Sequence, residues 1–476
     1  MIDFKALKKD YRFWICAFCG IVFVGFLIAD FFRFAPPSLD TNSVIFMCLI
    51  TLLPFIIIVA VMLVKDGFSK ATLAVLGMLA LSYLLRILFA DYRSNDYNWF
   101  LSKWVAEYRT LSVSECFVKQ VGNYPPVYNY FLIAFSRIKI SDLYLIKTLS
   151  FYFEILAAVF AVKTISLLRQ SKFDFFALGI FLLLPIFWAN SSQWAQCDAL
   201  YTSCVVVAVY FALKHNSIVA YVMIGLALAI KLQTALILPV GMILLLCKSP
   251  DGKKYLLWRW IWIVPVVFFA ASALPAMYGG SFFKVIHVYL NQSTVGNAGQ
   301  SLNGHCANIL LMLYHVPKGS VAYYMLLVLF IAVTAAVDVF IIVHTCKSTN
   351  RTITDEHVVF LCLLLPMISV FFMPKMLDRF YYIAEVYAAV YLLYKRDTNM
   401  FTSFVAFETG QWLIYTRTLA KIKYAFGLAP IFVVFALWLV VRRFFTYFPH
   451  DRLNYKFFTE RPVESPAEQS EQVEQQ

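Results

Sequence analysis

Charged residues are scarce in this sequence. Only 14% of its 476 residues are Asp, Glu, Lys or Arg, whereas an ordinary soluble domain has about 25%. The apolar share is 62% and the mean hydropathy is +0.74. Apolar residues form continuous runs, not the weakly alternating segments of a membrane β-barrel. The composition therefore predicts an all-α polytopic membrane protein, in which each spanning helix satisfies its own backbone hydrogen bonds.

Metal-binding and disulfide motifs are also lacking. The ten cysteines are scattered without a CxxC pair, which suggests neither a disulfide framework nor a zinc site. No histidine lies at metal-ligand spacing from His305, so no histidine-held metal is predicted. The net charge of +13 does not indicate nucleic-acid binding, because Lys and Arg cluster in short loops between apolar runs, as the positive-inside rule requires.

The apolar runs predict a bundle of about 12–14 transmembrane helices. They lie at residues 13–33, 44–64, 71–90, 143–167, 173–189, 198–213, 217–231, 233–248, 256–277, 321–345, 357–373, 379–395, 400–417 and 426–443. No cleavable signal peptide is apparent, so the first run is interpreted as a retained span. The placement of Lys and Arg predicts cytoplasmic N- and C-termini. The acidic tail at 446–476 is expected to be disordered.

The same parity places four polar segments on the extracytoplasmic side: residues 91–142, 189–200, 278–320 and 371–382. In the first, apolar residues recur at helical spacing from Tyr97 through Trp104 to Tyr108, which predicts an amphipathic helix along the membrane interface. Asp96 directly precedes this helix and is either its N-cap or a functional carboxylate. Asp91 either marks the end of the third span or competes for that functional role.

A proline pair follows in the same outer segment. Pro125 and Pro126 predict a stiff bend that excludes Tyr124 from a helix and returns the chain towards Asp96. An ordinary turn that initiates a helix is the alternative interpretation.

Polar residues also interrupt the apolar spans themselves. Gln196 and Asp198 stand at the outer end of one span, and Lys231 and Gln233 break another. A lysine between apolar runs should face a cavity or a counter-charge, which makes Lys231 a candidate functional residue. Asp198 is its expected partner. A purely structural ion pair or snorkelling of Lys231 to the interface are the alternatives.

Two later outer segments add candidate ligands for an anion. His305 lies in "SLNGHCANIL", and Lys375 and Arg379 lie in "MPKMLDRFYY". Cations at the outer face break the positive-inside pattern and require an anionic group to explain them. A carboxylate that accepts a proton, beside cations that hold a phosphate, indicates transfer of a group from a phosphate-linked lipid to a hydroxyl.

These motifs resemble, in order, those of the GT-C superfamily of integral-membrane glycosyltransferases. The similar segments are "SNDYNWFLSKW", "NYPPVYNYFL", "NSSQWAQCDALYTSC", "KLQTALILP", "SLNGHCANIL" and "MPKMLDRFYY". The set is most similar to bacterial relatives of the second mannosyltransferase of GPI-anchor assembly. It implies a catalytic core at 71–395 with an outer catalytic loop at 91–142, preceded by two spans at 1–70 and followed by spans at 396–445.

The resemblance implies roles for particular residues. Asp96 matches the family's catalytic base, with Asp91 as the rival. The late triplet reads Leu377, Asp378 and Arg379, without the family's histidine, so Arg379 would meet the donor phosphate with help from Lys375 or His305. The remaining candidates for substrate or phosphate binding are Lys231, Gln233, Gln196, Asp198, Tyr124 and Trp104.

The expected reaction is inverting transfer of one sugar, a hexose such as mannose. The donor would be a polyprenyl-phosphate-linked sugar and the acceptor a hydroxyl of a glycan or glycolipid, at the extracytoplasmic face of a bacterial cell membrane. No cofactor is predicted, although a Mg²⁺ or Mn²⁺ ion beside Asp91 and Asp96 is left open. The competing hypotheses are a transporter or flippase of a lipid-linked saccharide, and an inactive scaffold.

Overall fold

The computed structural model describes residues 11–32, 41–119, 121–281, 283, 286–289, 301–312, 316–422 and 427–449. Within these ranges the chain consists of helices joined by loops and contains no β-strand. The all-α fold class is therefore confirmed. Most of the tail predicted to be disordered, from residue 450, and residues 290–300 of the third outer segment lie outside the described ranges.

Ten α-helices occupy the first part of the described chain. They are α1 (Tyr11–Phe32), α2 (Thr41–Asp66), α3 (Lys70–Leu88), α4 (Ser102–Thr110), α5 (Val113–Val118), α6 (Pro126–Ser136), α7 (Asp142–Arg169), α8 (Phe175–Leu183), α9 (Pro185–Trp188) and α10 (Asp198–Leu213). Two π-helical turns, Tyr97–Leu101 and Ala189–Gln193, lead into α4 and out of α9.

Ten further α-helices follow. They are α11 (Ser217–Ile230), α12 (Leu238–Leu246), α13 (Ile263–Ala271), α14 (Leu274–Met277), α15 (Ile309–Met312), α16 (Val321–Ser348), α17 (Asp355–Phe372), α18 (Tyr382–Lys395), α19 (Thr398–Ala420) and α20 (Ala429–Tyr447). Two 3₁₀ turns, Leu232–Ile237 and Trp258–Trp260, precede α12 and α13.

Six of the described helices are long and apolar enough to cross a membrane alone, and a seventh span results if the bent pair α8–α9 is counted as one. The predicted 12–14 spans are not all present as full-length apolar helices, because four of the runs form helices of only 10–17 residues. The short helices α10 and α11 instead pack against each other, and α10 also packs against the long α7. The multi-pass membrane architecture is confirmed, with several incomplete spans.

The bend between α8 and α9 has a local cause. Leu184 adopts an extended conformation (φ −55°, ψ 130°), and Pro185 starts the next helix. The residue before a proline disfavours the helical conformation, and the two segments are inclined by 52°. This bend and the π-helical turn after it carry the chain to Trp194 and Gln196, which are both buried.

The first outer segment is anchored to α7 by a buried lysine. The Lys147 ammonium donates hydrogen bonds to the backbone carbonyls of Phe89, Ala90 and Tyr92 at 2.7–2.8 Å. These carbonyls lie just beyond the end of α3 and have no partner within that helix. Lys147 therefore determines where the chain leaves α3 on its way to Asp96.

Replacement of Lys147 with methionine should lower the free energy of unfolding by about 2–3 kcal/mol, because three buried carbonyls lose a charged donor. Thermal unfolding in detergent measures this. Lys163→Met on the same helix is the control, since Lys163 is exposed and lies over the Phe160 ring. Equal melting temperatures for the two variants would contradict the anchoring role.

Candidate active site

A cleft with a cavity of about 810 Å³ opens beside the first outer segment. Its walls come from the π-helical turn before α4, the loops before α6 and α10, the break after α11, the loop before α18 and the end of α19. Eight of the residues selected from the sequence line it: Asp96, Trp104, Tyr124, Gln196, Lys231, Gln233, His305 and Arg379. The structure thus brings together side chains separated by up to 283 positions in the chain.

Asp96 presents its carboxylate to this cleft and does not cap a helix. It lies within the first helical turn (φ −62°, ψ −39°) without a capping hydrogen bond. Ser94 caps instead, because its Oγ accepts from the Tyr97 N–H at 3.1 Å. The N-cap interpretation of Asp96 is therefore wrong, since the residue sits two positions later than the cap.

One oxygen of the Asp96 carboxylate is held and the other is open. Oδ2 accepts from Gln196 Nε2 at 2.5 Å and from Trp194 Nε1 at 3.2 Å, and lies 3.4 Å from the Arg379 guanidinium. Among the described residues, Oδ1 accepts no hydrogen bond, and the side chain is 28% exposed. Three donors on one side therefore orient the carboxylate and leave Oδ1 available to a ligand in the cleft.

Gln196 links Asp96 to Tyr124. While its Nε2 donates to Asp96, its Oε1 accepts from the Tyr124 hydroxyl at 3.4 Å. Burial raises the pKa of Tyr124 well above its ordinary value, so the phenol stays protonated and can donate. Pro126 begins α6 directly after this bend. The proline pair therefore both initiates a helix and returns Tyr124 to the neighbourhood of Asp96, so that its two interpretations hold together.

Trp104 forms an aromatic wall beside Tyr124. The two rings meet edge to face with centroids 5.5 Å apart. Gly122 has a φ of +73°, and a Cβ there would lie 2.4 Å from the Trp104 ring. Only glycine permits this approach, so the segment before the proline pair packs directly against the helix that carries Trp104.

Lys231 and Asp198 form the predicted ion pair. The Lys231 ammonium lies 2.5 Å from Asp198 Oδ1, and both residues are buried. Lys231 is extended (φ −158°, ψ 137°) between α11 and the following 3₁₀ turn, so the span breaks where the sequence predicts. The second oxygen of Asp198 accepts from Asn190 at 3.1 Å. Lys231 is thus balanced by a counter-charge at the floor of the cleft.

Arg379 joins three carboxylates. Besides Asp96, its guanidinium lies 3.5 Å from Asp198 and 3.6 Å from Asp378, and it stacks over the Trp194 ring at 5.3 Å. Burial raises the pKa of Asp378 to about 6, with Arg379 and the Thr418 hydroxyl opposing that rise. Arg379 is therefore the electrostatic centre of this part of the cleft.

Asp198 does not itself line the cleft but pairs with Lys231, which does, and two further residues selected from the sequence do not line it either. Asp91 accepts a hydrogen bond from the Tyr144 hydroxyl on α7, and Lys375 lies over the Tyr323 ring at 5.8 Å. Both residues are close to predicted site residues in the sequence but not in the structure, because a neighbouring helix engages each side chain.

Sequence reasoning gave no role to Trp194 and missed Arg417, Thr418 and Lys421, which lie in none of the selected motifs. A signal for the two cations exists. They fall at and after the end of the predicted span 400–417, on the side that the charge parity makes extracytoplasmic, and so break the positive-inside pattern as Arg379 does. They lie outside the segments that carry the family resemblance.

The side chains that line the cleft are not arranged as ligands for a divalent cation. Asp91 is turned towards Tyr144, and Asp96 Oδ2 is surrounded by N–H donors. Nowhere in the described part of the chain do three or more His, Cys, Asp or Glu side chains form a group that could hold a metal ion. A cation between Asp91 and Asp96, left open by the sequence, finds no arranged ligands there.

Comparison with known proteins identifies the family of this chain. A search of curated proteins finds no match. The family model for glycosyltransferase family 87 matches residues 123–366, just over half of the chain. The match includes Tyr124, Gln196, Asp198, Lys231 and His305. The finer likeness to the second GPI mannosyltransferase stays a prediction. The chain belongs to glycosyltransferase family 87, a family of integral-membrane glycosyltransferases of the GT-C type.

Proposed function

We propose that this membrane glycosyltransferase transfers a single sugar from a polyprenyl-phosphate-linked donor to a hydroxyl of a glycan or glycolipid, with inversion, at the extracytoplasmic face. The observation that carries the proposal is the state of Asp96. Its carboxylate is oriented by three donors and keeps one oxygen open towards a cleft that also holds cations. This is the arrangement of a positioned general base.

The proposed reaction needs only one carboxylate. The acceptor oxygen attacks the anomeric carbon as the bond from that carbon to the phosphate oxygen breaks on the opposite face. Asp96 Oδ1 takes the hydroxyl proton, and the electron pair of the broken bond leaves with the lipid monophosphate. A glycosidase needs a second carboxyl group to protonate its leaving group, whereas a phosphate leaves as a stable anion and needs only positive charge nearby.

The positions of the aromatic residues suit a lipid-linked substrate. Trp99 and Phe100 line the cleft beside Asp96 and remain 60% and 47% exposed. Exposed aromatic side chains favour the membrane interface, so a polyprenyl chain can approach Asp96 from the bilayer. The extracytoplasmic orientation rests on the placement of Lys and Arg in the loops. The sugar is proposed as a hexose such as mannose.

A saccharide transporter is the competing hypothesis. It would use Lys231 and Asp198 as gating residues and leave the saccharide covalently unchanged. Membership of a glycosyltransferase family favours transfer, and the buried Lys231–Asp198 pair is explained as support for the cleft floor.

A reconstituted assay tests the proposed function. Purified protein in proteoliposomes is given a panel of polyprenyl-phosphate hexoses, and the acceptor is analysed by mass spectrometry. We expect an increase of one hexose with at least one donor, and no increase with nucleotide sugars. Spheroplasts supplied with the acceptor outside the membrane test the active face. Transfer only from nucleotide sugars, or only to acceptors inside, would contradict the proposal.

A further inference from the structure

Lys231 and Arg379, the two lysine or arginine candidates from the sequence that line the cleft, already lie against carboxylates. Lys231 pairs with Asp198, and Arg379 lies within 3.4–3.6 Å of Asp96, Asp198 and Asp378. Asp378, with its pKa of about 6, is mainly ionised at neutral pH. Lys231 and Arg379 are therefore already engaged by carboxylates, which weakens the attraction of this end of the cleft for an anion.

The geometry of the proposed reaction also argues against binding of the donor phosphate beside Arg379. In an inverting displacement the base and the leaving group lie on opposite faces of the anomeric carbon. Asp96 must approach the acceptor hydroxyl to about 2.7 Å, and the reacting atoms start about 3–3.5 Å apart. Because Arg379 directly contacts Asp96, it lies on the acceptor side of that carbon. The leaving phosphate needs cations farther along the cleft.

Such cations stand at the end of α19. Arg417 lies in the last turn of α19, Lys421 directly follows that helix, and both line the cleft. Lys421 ends the helix in the left-handed conformation (φ 59°) and is exposed. Thr418 donates to Asp378 Oδ2 at 2.9 Å, and the Asp378 carboxylate also interacts electrostatically with Arg417.

His305 completes the group. The Arg417 guanidinium lies 3.1 Å from His305 Nδ1. Burial and the positive charge of Arg417 lower the pKa of His305, so the ring is neutral at pH 7. Because a guanidinium can only donate, Nδ1 accepts and the ring proton resides on Nε2. A guanidinium, an ammonium and an imidazole thus line the same cleft, the first and third in direct contact.

The loop that carries His305 is held rigidly. Gly304 has a φ of +59°, and a Cβ there would lie 2.1 Å from the Met376 carbonyl oxygen. The Lys375 N–H donates to the Leu302 carbonyl at 2.6 Å on the same contact. The glycine therefore allows the loop that carries His305 to pack directly against the segment before Arg379.

We propose that Arg417, Lys421 and His305 form the subsite for the phosphate of the lipid-linked donor. The assignment rests on the proposed function and refines it. Arg379 then orients Asp96 on the acceptor side, and Lys231 holds Asp198 beneath both. The sugar lies between Asp96 and the phosphate subsite, as in-line displacement requires.

Binding of a short-chain prenyl phosphate to the purified, full-length protein tests this subsite directly. We expect Arg417→Gln and Lys421→Gln each to weaken binding about 10-fold, since each removes a charge-assisted hydrogen bond. Arg417→Lys, which keeps the charge, should lose less. In the transfer assay the donor KM should rise, whereas the acceptor KM should stay within about twofold of the wild-type value. Lys103→Gln is the matched control, because Lys103 is an exposed cation of the same outer region that does not line the cleft.

Three results would overturn the assignment. Unchanged prenyl-phosphate affinity with a raised acceptor KM would assign the cations to the acceptor. Unchanged affinity with a lowered melting temperature would reduce them to caps of the α19 carbonyls. An equal loss in Lys103→Gln would show that the effect is not local. Binding of prenyl phosphate needs no turnover. Wild-type protein that binds prenyl phosphate through Arg417 but transfers no sugar would therefore refute the proposed function and leave the phosphate subsite standing.

Discussion

Replacement of Asp96 with asparagine should reduce the rate of sugar transfer by about 10²–10⁴-fold, the usual contribution of a positioned general base. Asparagine matches aspartate in size but cannot accept the proton of the acceptor hydroxyl. We expect kcat to fall while the donor KM changes little, because the proposed phosphate subsite does not include Asp96. Initial rates from the mass-resolved assay, with thermal unfolding as a check on folding, measure this effect.

Asp91→Asn provides the contrast. The Asp91 carboxylate is engaged by the Tyr144 hydroxyl and does not line the cleft, so this variant should keep most of the transfer rate. If Asp91→Asn is inactive while Asp96→Asn transfers sugar, the assignment of the base is wrong. If neither variant loses activity, the one-carboxylate mechanism fails.

Breaking the Lys231–Asp198 pair should have the largest effect on stability. Both side chains are at most 4% exposed, and removal of one partner from a buried pair costs about 3–5 kcal/mol because the other charge is left uncompensated. Lys231→Gln and Asp198→Asn should each lower the melting temperature markedly. Thermal unfolding in a single detergent allows the two variants to be compared with wild type.

The double variant Asp198→Asn/Lys231→Gln separates stability from function. It removes both charges and keeps groups that can hydrogen-bond, so it should recover much of the stability that either single variant loses. A stable and active double variant would make the pair purely structural, whereas a stable and inactive one would give it a part in transfer. Single variants as stable as wild type would contradict the buried ion pair itself.

The sequence was informative where the signal is local. Hydropathy and helical periodicity predict the spans, the amphipathic helix from Tyr97, and the break at Lys231, because each depends on neighbouring residues and on the cost of placing a charge in lipid. The outer motifs selected most of the cleft lining for the same reason. A polar residue where an apolar one is expected needs a local explanation.

The sequence could not rank the two aspartates or find the second cationic group. Asp91 and Asp96 are five positions apart, and their environments differ because Tyr144 engages one and Gln196 engages the other. Those contacts span 53 and 100 positions of the chain. His305 and Arg417 meet across 112 positions. No local pattern encodes such distances.

The sequence by itself determined that this chain is a multi-pass helical membrane protein with unusual polar residues predicted on one side of the bilayer. Hydrophobic transfer and the spacing of charges act along the chain and can be read there. Only the tertiary structure decided which carboxylate faces the cleft and which cations lie against carboxylates. Those properties depend on the positions of all charges in space, because electrostatic balance is set by distance and burial and not by order in the sequence.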